Sequence, residues 1–244
     1  MDLSKESIAE PVFADIHTHI LFGVDDGPDD QETSRRMIDL AYAEGTRLIC
    51  CTPHYHPGYF GKNSESAALA FAALQEYAAD RYPDLRLFLA NEVRYTPGAG
   101  SWVREGLCRC LADGVPLVDF LYDAEKNEIL FAMRELLSSG YRPVLAHVER
   151  YTNLKKKDVA ALRDSGVMMQ VNSASLLPGA PQGRTARAEK LLSAGLVDFV
   201  SSDTHDPHHR PPMMKKSYER IKKRYGSAYA DAIFYRNAVK LLVG

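Results

Sequence analysis

The chain has 244 residues, 45% hydrophobic and 25% charged, with a formal net charge of -2. This is an ordinary globular composition with room for a large core, and it lacks the global basic field that gathers nucleic acid. The opening MDLSKESIAE has no apolar signal core, and no window of 18 apolar residues exists to span a membrane.

Residues 1–11 are polar and read as a disordered extension ahead of one domain over 12–244. The first apolar run, VFADIH (12–17), reads as a strand and leads into HTHILFGVDDGP. A helix is expected over 30–44, with Met37, Ile38, Leu40, Ala41 and Tyr42 on one face. A phrase then recurs: the end of a helix, a small residue, Gly, an apolar run. Its instances are AEGTRLICCTPH, SSGYRPVLAHVE, DSGVMMQVNS and SAGLVDFVSSDTH. Gly45, Gly140, Gly166 and Gly195 suit the left-handed position just past a helix C-terminus. LRLFLANEV (85–93) and VPLVDFL (115–121) bring the expected strands to about seven. Helices are expected between them over 64–80, 125–139, 156–165 and 184–194, then over 213–242 with a break near Gly226. The Lys run 155–157 and KKSYERIKKRYG (215–226) read as solvated helix faces. The stretch 175–187 reads as either a mobile flap near a site or a plain connection.

Near-continuous apolar runs suit parallel strands covered on both faces, and strand-helix alternation implies right-handed βαβ units. The expected fold class is α/β, a barrel of about seven parallel strands with helices between them. Closure is favoured over an open sheet by the strand ends. The runs finish in His17 and His19, in His54, in Glu92, in Asp119, in His147, and in Asp203 and His205. A parallel barrel gathers all strand C-termini at one rim, whereas an open sheet would spread them along a line. His17 and His19, like Asp203 and His205, are two apart and share a strand face.

Imidazoles and carboxylates without thiolate favour Mn, Fe or Zn over Cu(I), Mg or Ca. So many donors imply two or three ions, with Glu92 a candidate shared bridge. Clustered divalent ions suit phosphoester hydrolysis by metal-activated hydroxide. Other phosphatase chemistries are absent: no Arg lies six residues after any of the four cysteines, and there is no G-x-x-x-x-G-K-[ST] loop or G-x-S-x-G elbow. Cys50-Cys51 and Cys108-x-Cys110 match neither a zinc knuckle nor a disulfide framework, and read as reduced thiols of a cytoplasmic protein. Arg150 and Arg210 each follow a donor histidine closely and are candidates for gripping phosphate, the catalytic role they would share, or for structural salt bridges.

In that order, DIHTHILFGVDDGP, TPHYHPG, LANEVRYTP, AHVERY, QVNSASLL and SSDTHDPHHRPP resemble the bacterial manganese-dependent tyrosine phosphatases of capsule and exopolysaccharide clusters. These CpsB/CapC-like enzymes belong to the polymerase-and-histidinol-phosphatase (PHP) superfamily. The resemblance runs from about residue 13 to about 240. It implies a distorted, TIM-like (β/α)7 PHP barrel and a trinuclear Mn2+ site. His17, His19, Glu92 and Asp203 would hold one ion. Glu92, Asp119 and His147 would hold a second. His54, His205 and one carboxylate of Asp25-Asp26, with Asp26 favoured, would hold the third. The implied substrate is phosphotyrosine in the tail of a membrane-associated autokinase. Two departures stand out. The family usually has Glu where Asp119 stands, and basic residues where Tyr55 and His56 follow His54, which leaves Tyr55 a candidate substrate contact. Two rival readings stay open: another PHP phosphoesterase, histidinol-phosphatase-like or a nuclease, or a regulator that binds phosphotyrosine or metal without turnover.

Overall fold

The computed structural model describes residues 11–59 and 64–244. Most of the expected disordered extension, residues 1–10, lies outside the described residues. Nine strands are present among those described: β1 Phe13–Thr18, β2 Thr46–Cys51, β3 His54–Tyr55, β4 Arg86–Leu89, β5 Glu92–Arg94, β6 Leu117–Asp119, β7 Val144–Leu145, β8 Met168–Asn172 and β9 Phe199–Ser201. Every ladder is parallel. One sheet runs β1-β2-β4 and the other β3-β5-β6-β7-β8-β9.

The surplus over seven arises because two runs are each cut in two. Pro53 has no N–H to give a ladder. At the same point the Thr52 side chain accepts from Thr18 N at 3.0 Å, standing in for backbone. Asn91 cuts the other run by donating to Pro53 O at 3.1 Å and accepting from Arg109 N at 2.9 Å. Past the cuts β3 and β5 pair again, with His54 opposite Glu92. The kinks turn both side chains inward. The circuit is completed between β9 and β1: Asp203 N donates to His17 O and His19 N to Thr204 O, both at 2.9 Å. Seven strand positions thus follow one another round a ring of parallel hydrogen bonds, the barrel-like α/β architecture expected.

The helices are α1 Gln31–Glu44, α2 Ser64–Arg81, α3 Ala99–Arg104, α4 Lys126–Ser138, α5 Lys156–Asp164, α6 Arg184–Leu192, α7 Met214–Tyr225, α8 Ser227–Asp231 and α9 Asn237–Leu242, with a π-turn over Ala232–Arg236. Asp30 caps α1, its side chain accepting from Thr33 N, and the helix buries Met37, Ile38 and Ala41. Gly45 ends it at φ 111, and a Cβ there would meet Pro11 O at 2.6 Å. Gly140, Gly166 and Gly195 also have positive φ, as their place after helices demands. The short α3 escaped the sequence reading because six residues carry too little periodicity to register. On α7, Met214, Ser217, Tyr218 and Ile221 are buried while Lys215, Lys216, Lys222 and Lys223 are solvated. The core between strands and helices includes Phe13, whose ring lies 5.3 Å from Tyr218 and 6.0 Å from Phe234. The stretch 175–187 is neither strand nor long loop; it holds 3-10 turns at Ser173–Leu176 and Pro181–Gly183 and then enters α6. No described helix is long and apolar enough to cross a membrane.

Candidate metal centre

Glu92 stands where β5 begins, 1% exposed, and its carboxylate faces four imidazoles. Oε1 lies 3.3 Å from His17 Nε2 and 2.9 Å from His147 Nε2. Oε2 lies 3.2 Å from His19 Nε2 and 2.9 Å from His54 Nδ1. Asp203 Oδ1 is 3.6 Å from nitrogens of His17, His19 and His205. Asp26 Oδ1 is 3.4 Å from Nε2 of both His54 and His205. Donor atoms fall into three overlapping groups, each within 4.8 Å: His19, Asp26, His54 and His205; His17, His19 and Glu92; His54, Glu92 and Asp119. The structure therefore brings together all nine side chains singled out as donors. His147 and Asp203 reach it from left-handed backbone, φ 34 and 53, a conformation that costs energy in residues with a Cβ and tends to persist at functional sites.

Behind these stands a second layer, of which Gln170, Asn172 and Arg94 were not picked out from the sequence. Asp25 Oδ2 pairs with His19 Nδ1 at 2.7 Å and accepts from His54 N at 2.9 Å. Asp25 is thus tied to His19 and the His54 backbone, whereas Asp26 Oδ1 faces the His54 and His205 rings. With Nδ1 tied to Asp25, Nε2 of neutral His19 keeps its lone pair pointed inward. Gln170 Oε1 accepts from His147 N at 2.7 Å and lies 3.2 Å from His17 Nδ1. Its amide donates to Asn172 Oδ1 at 2.9 Å, and Asn172 donates to Asp203 Oδ2 at 2.6 Å. Gln170 and Asn172 carry the same two-residue spacing as His17 and His19, a usable signal had amides been counted. Arg94 grips Asp119 with both Nε and Nη2, at 2.7 to 2.9 Å. Arg150 and Arg210 both donate to Asp203 Oδ2, the latter at 2.8 Å. Arg150 Nε is buried with no hydrogen-bond partner among the described residues. Tyr55 is packed away from the cluster. It points to the opposite side of β3 from His54, its ring 5.6 Å from Trp102 and 9% exposed, so the expected substrate contact is not where the sequence suggested.

Gly27 keeps the DDGP turn closed. A Cβ there would sit 2.3 Å from the backbone oxygen of His19. Gly27→Ala is therefore expected to displace Asp25 and Asp26 together, weakening divalent-metal binding by about 10- to 100-fold, as loss of ligand support commonly does. Calorimetric titration with Mn2+ measures this, and wild-type affinity in the variant would refute it.

The charges are strongly coupled. Burial works against charging His17 and His19, but Glu92 and Asp203 beside the first and Asp25 beside the second outweigh it, so both imidazoles are held above the usual histidine range. Burial, with Arg150 nearby, pushes His147 down to about 3. Burial and the charge of His19 also lower His205. Glu92 and Asp203 are buried, yet His17 and His54 around the one and Arg150 and His17 around the other keep them well below the carboxylate range. Burial and the charge of Glu92 raise Asp119 to about 6 in spite of Arg94.

These donors fit divalent ions. Two ligand atoms at right angles on one ion, with bonds of about 2.1 Å, stand about 3 Å apart. His17 Nε2 and His19 Nε2 are 3.2 Å apart. All four cysteines are free thiols, none of them in the cluster.

Over residues 13–243 the chain matches the family described as capsular polysaccharide synthesis, CpsB/CapC. Tyrosine-protein phosphatase CpsB of Streptococcus pneumoniae is 33% identical over 237 residues, spanning 94% of this chain and 98% of that protein. A solved structure from work on YwqE of Bacillus subtilis and CpsB of Streptococcus pneumoniae, described as metal-dependent tyrosine phosphatases, matches with a TM-score of 0.85 at 28% identity, covering 94% of each chain. The lactonase Lmo2620 of Listeria monocytogenes shares the fold alone, with a TM-score of 0.62 at 14% identity over 95% of this chain and 94% of that one. A family match from the first strand to the last helix, over a barrel rim crowded with imidazole and carboxylate, places this chain in the CpsB/CapC family of capsular polysaccharide synthesis.

Proposed function

We propose that this chain is a metal-dependent protein-tyrosine phosphatase. The observation that carries the reading is Glu92: one buried carboxylate shared by four imidazoles, with two arginines on the neighbouring Asp203. Relatives named as tyrosine-protein phosphatases support it. Divalent ions, Mn2+ first among them, supply Lewis acidity when bound: hydroxide at neutral pH and charge to offset a departing phenolate. His17, His19, Asp26, His54, Glu92, Asp119, His147, Asp203 and His205 would hold them. Asp203 divides its work, Oδ1 turned to the imidazoles and Oδ2 to Arg150 and Arg210. The two guanidinium groups carry further N–H donors for phosphate oxygens, among them the unpaired Nε of Arg150. They would bind the phosphoryl group and orient it toward the cluster. The domain would span 12–244, act in the cytoplasm, and take phosphotyrosine from the tail of a membrane-associated kinase.

The test is turnover of para-nitrophenyl phosphate and a phosphotyrosyl peptide in Mn2+, compared with histidinol phosphate and an oligonucleotide. His17→Ala and Asp203→Ala should each abolish aryl phosphate turnover. Activity that survived a chelator, or a preference for either alternative substrate, would overturn the reading.

A further inference from the structure

Arg187, in the first turn of α6, lays its guanidinium over the turn that carries Arg150. Nε donates to Glu149 O at 2.9 Å and Nη1 to Thr152 O at 3.3 Å. Nη2 donates to Tyr151 O and, at 3.5 Å, to Leu154 O. Those carbonyls belong to the 3-10 turn Val148–Arg150 and the residues after it, a segment too short to satisfy its own backbone groups. A planar fork can bridge several acceptors at once, which an ammonium cannot. The placement is not explained by helix energetics, since a cation in the first turn opposes the helix dipole.

The same turn is held from its other side. Glu149 is fully buried, and its Oε1 accepts from Asn172 N at 3.2 Å. Asn172 in turn donates to Asp203 Oδ2, the oxygen that Arg150 and Arg210 also reach. Arg150 thus projects from a backbone clamped between α6 and β8. The contact also absorbs the stretch 175–187, whose last residue is Arg187.

We propose that Arg187 is a positioning residue for phosphate binding: it sets the backbone from which Arg150 reaches the phosphoryl group and does not itself touch substrate. This rests on the reading of Arg150 as a phosphate anchor. The experiment uses the Mn2+-loaded full chain with Arg187→Ala and Arg187→Lys. KM and kcat are measured with para-nitrophenyl phosphate, and inorganic phosphate affinity by calorimetry. Both variants should lose about tenfold in phosphate affinity and rise about tenfold in KM, with kcat within about threefold and metal content unchanged, the pattern of a misplaced binding group. Added guanidinium ion should restore phosphate affinity to Arg187→Ala, and methylammonium should not. Should the alanine variant fail to fold, the lysine variant, which keeps stem and charge, decides alone. Unchanged phosphate affinity in a folded variant overturns the proposal, as does a fall in kcat with phosphate affinity intact. A wild type without turnover would sink the phosphatase reading instead, and calorimetry would still judge Arg187.

Discussion

Glu92→Gln is expected to lower kcat on aryl phosphate by roughly a thousandfold, the scale seen when a preorganised charge is removed from an electrostatically driven site. Glutamine keeps the shape and removes the charge that both carboxylate oxygens present to His17, His147, His19 and His54. Metal stoichiometry should fall in the same variant, because a neutral amide is a poor bridge between cations. A second consequence concerns the metal-free protein. Glu92 is among the charges holding His17 above the ordinary range, so that imidazole should titrate lower in the variant, visible in its NMR titration. The sign for Glu92 itself is the usual one for a depressed carboxylate: its stabilisation is present above the unfolded value of about 4.3 and is lost as pH falls through the folded value. A variant with wild-type kcat and metal content would remove Glu92 from the centre of the account.

Manganese affinity should rise steeply with pH, and the number of protons displaced is the informative part. His17 and His19 are raised, so near neutrality the metal-free protein holds protons there that an ion must expel. His147, at about 3, and the lowered His205 are already neutral and expel none. Glu92 and Asp203 are already ionised. The logarithm of the affinity should therefore climb with pH as His17 and His19 give up their protons, with Asp119 adding to the rise near pH 6, and flatten once these groups are deprotonated. Stability of the metal-free protein should move the other way. Raised imidazoles contribute stability in full below the unfolded value of about 6.5, and it fades as pH rises through their folded values. Asp119 has the same slope lower down, since a carboxyl raised to about 6 weakens the fold as pH climbs from its unfolded value of about 3.9. Urea unfolding in chelator should show a midpoint that declines above neutrality, while the manganese-loaded protein holds its own. A flat affinity profile, or a metal-free protein that gains stability from pH 7 to 9, would contradict the charge pattern.

Much of this was legible beforehand because it depends on local chemistry. Parallel strands announce themselves as apolar runs, and Gly45, Gly140, Gly166 and Gly195 mark helix ends by backbone conformation alone. The donor residues could be found because a strand that ends in a polar side chain stands out against its apolar run. The cuts at Thr52-Pro53 and Ala90-Asn91 could not be found. They arise from side chains replacing backbone in a ladder between segments distant in sequence.

By itself, then, the order of residues pointed to the class of fold, the rim where polar strand ends meet, and nine side chains that the fold brings together. Tertiary structure alone decided that Asp25 supports while Asp26 faces inward, that Arg94 binds Asp119, that Tyr55 turns into the core, and that Arg187 spans the carbonyls around Arg150. The division has one physical origin. Strand periodicity and turn geometry act over a few residues, whereas the partner of a buried polar group is chosen by whichever donor or acceptor the fold brings within about 3 Å.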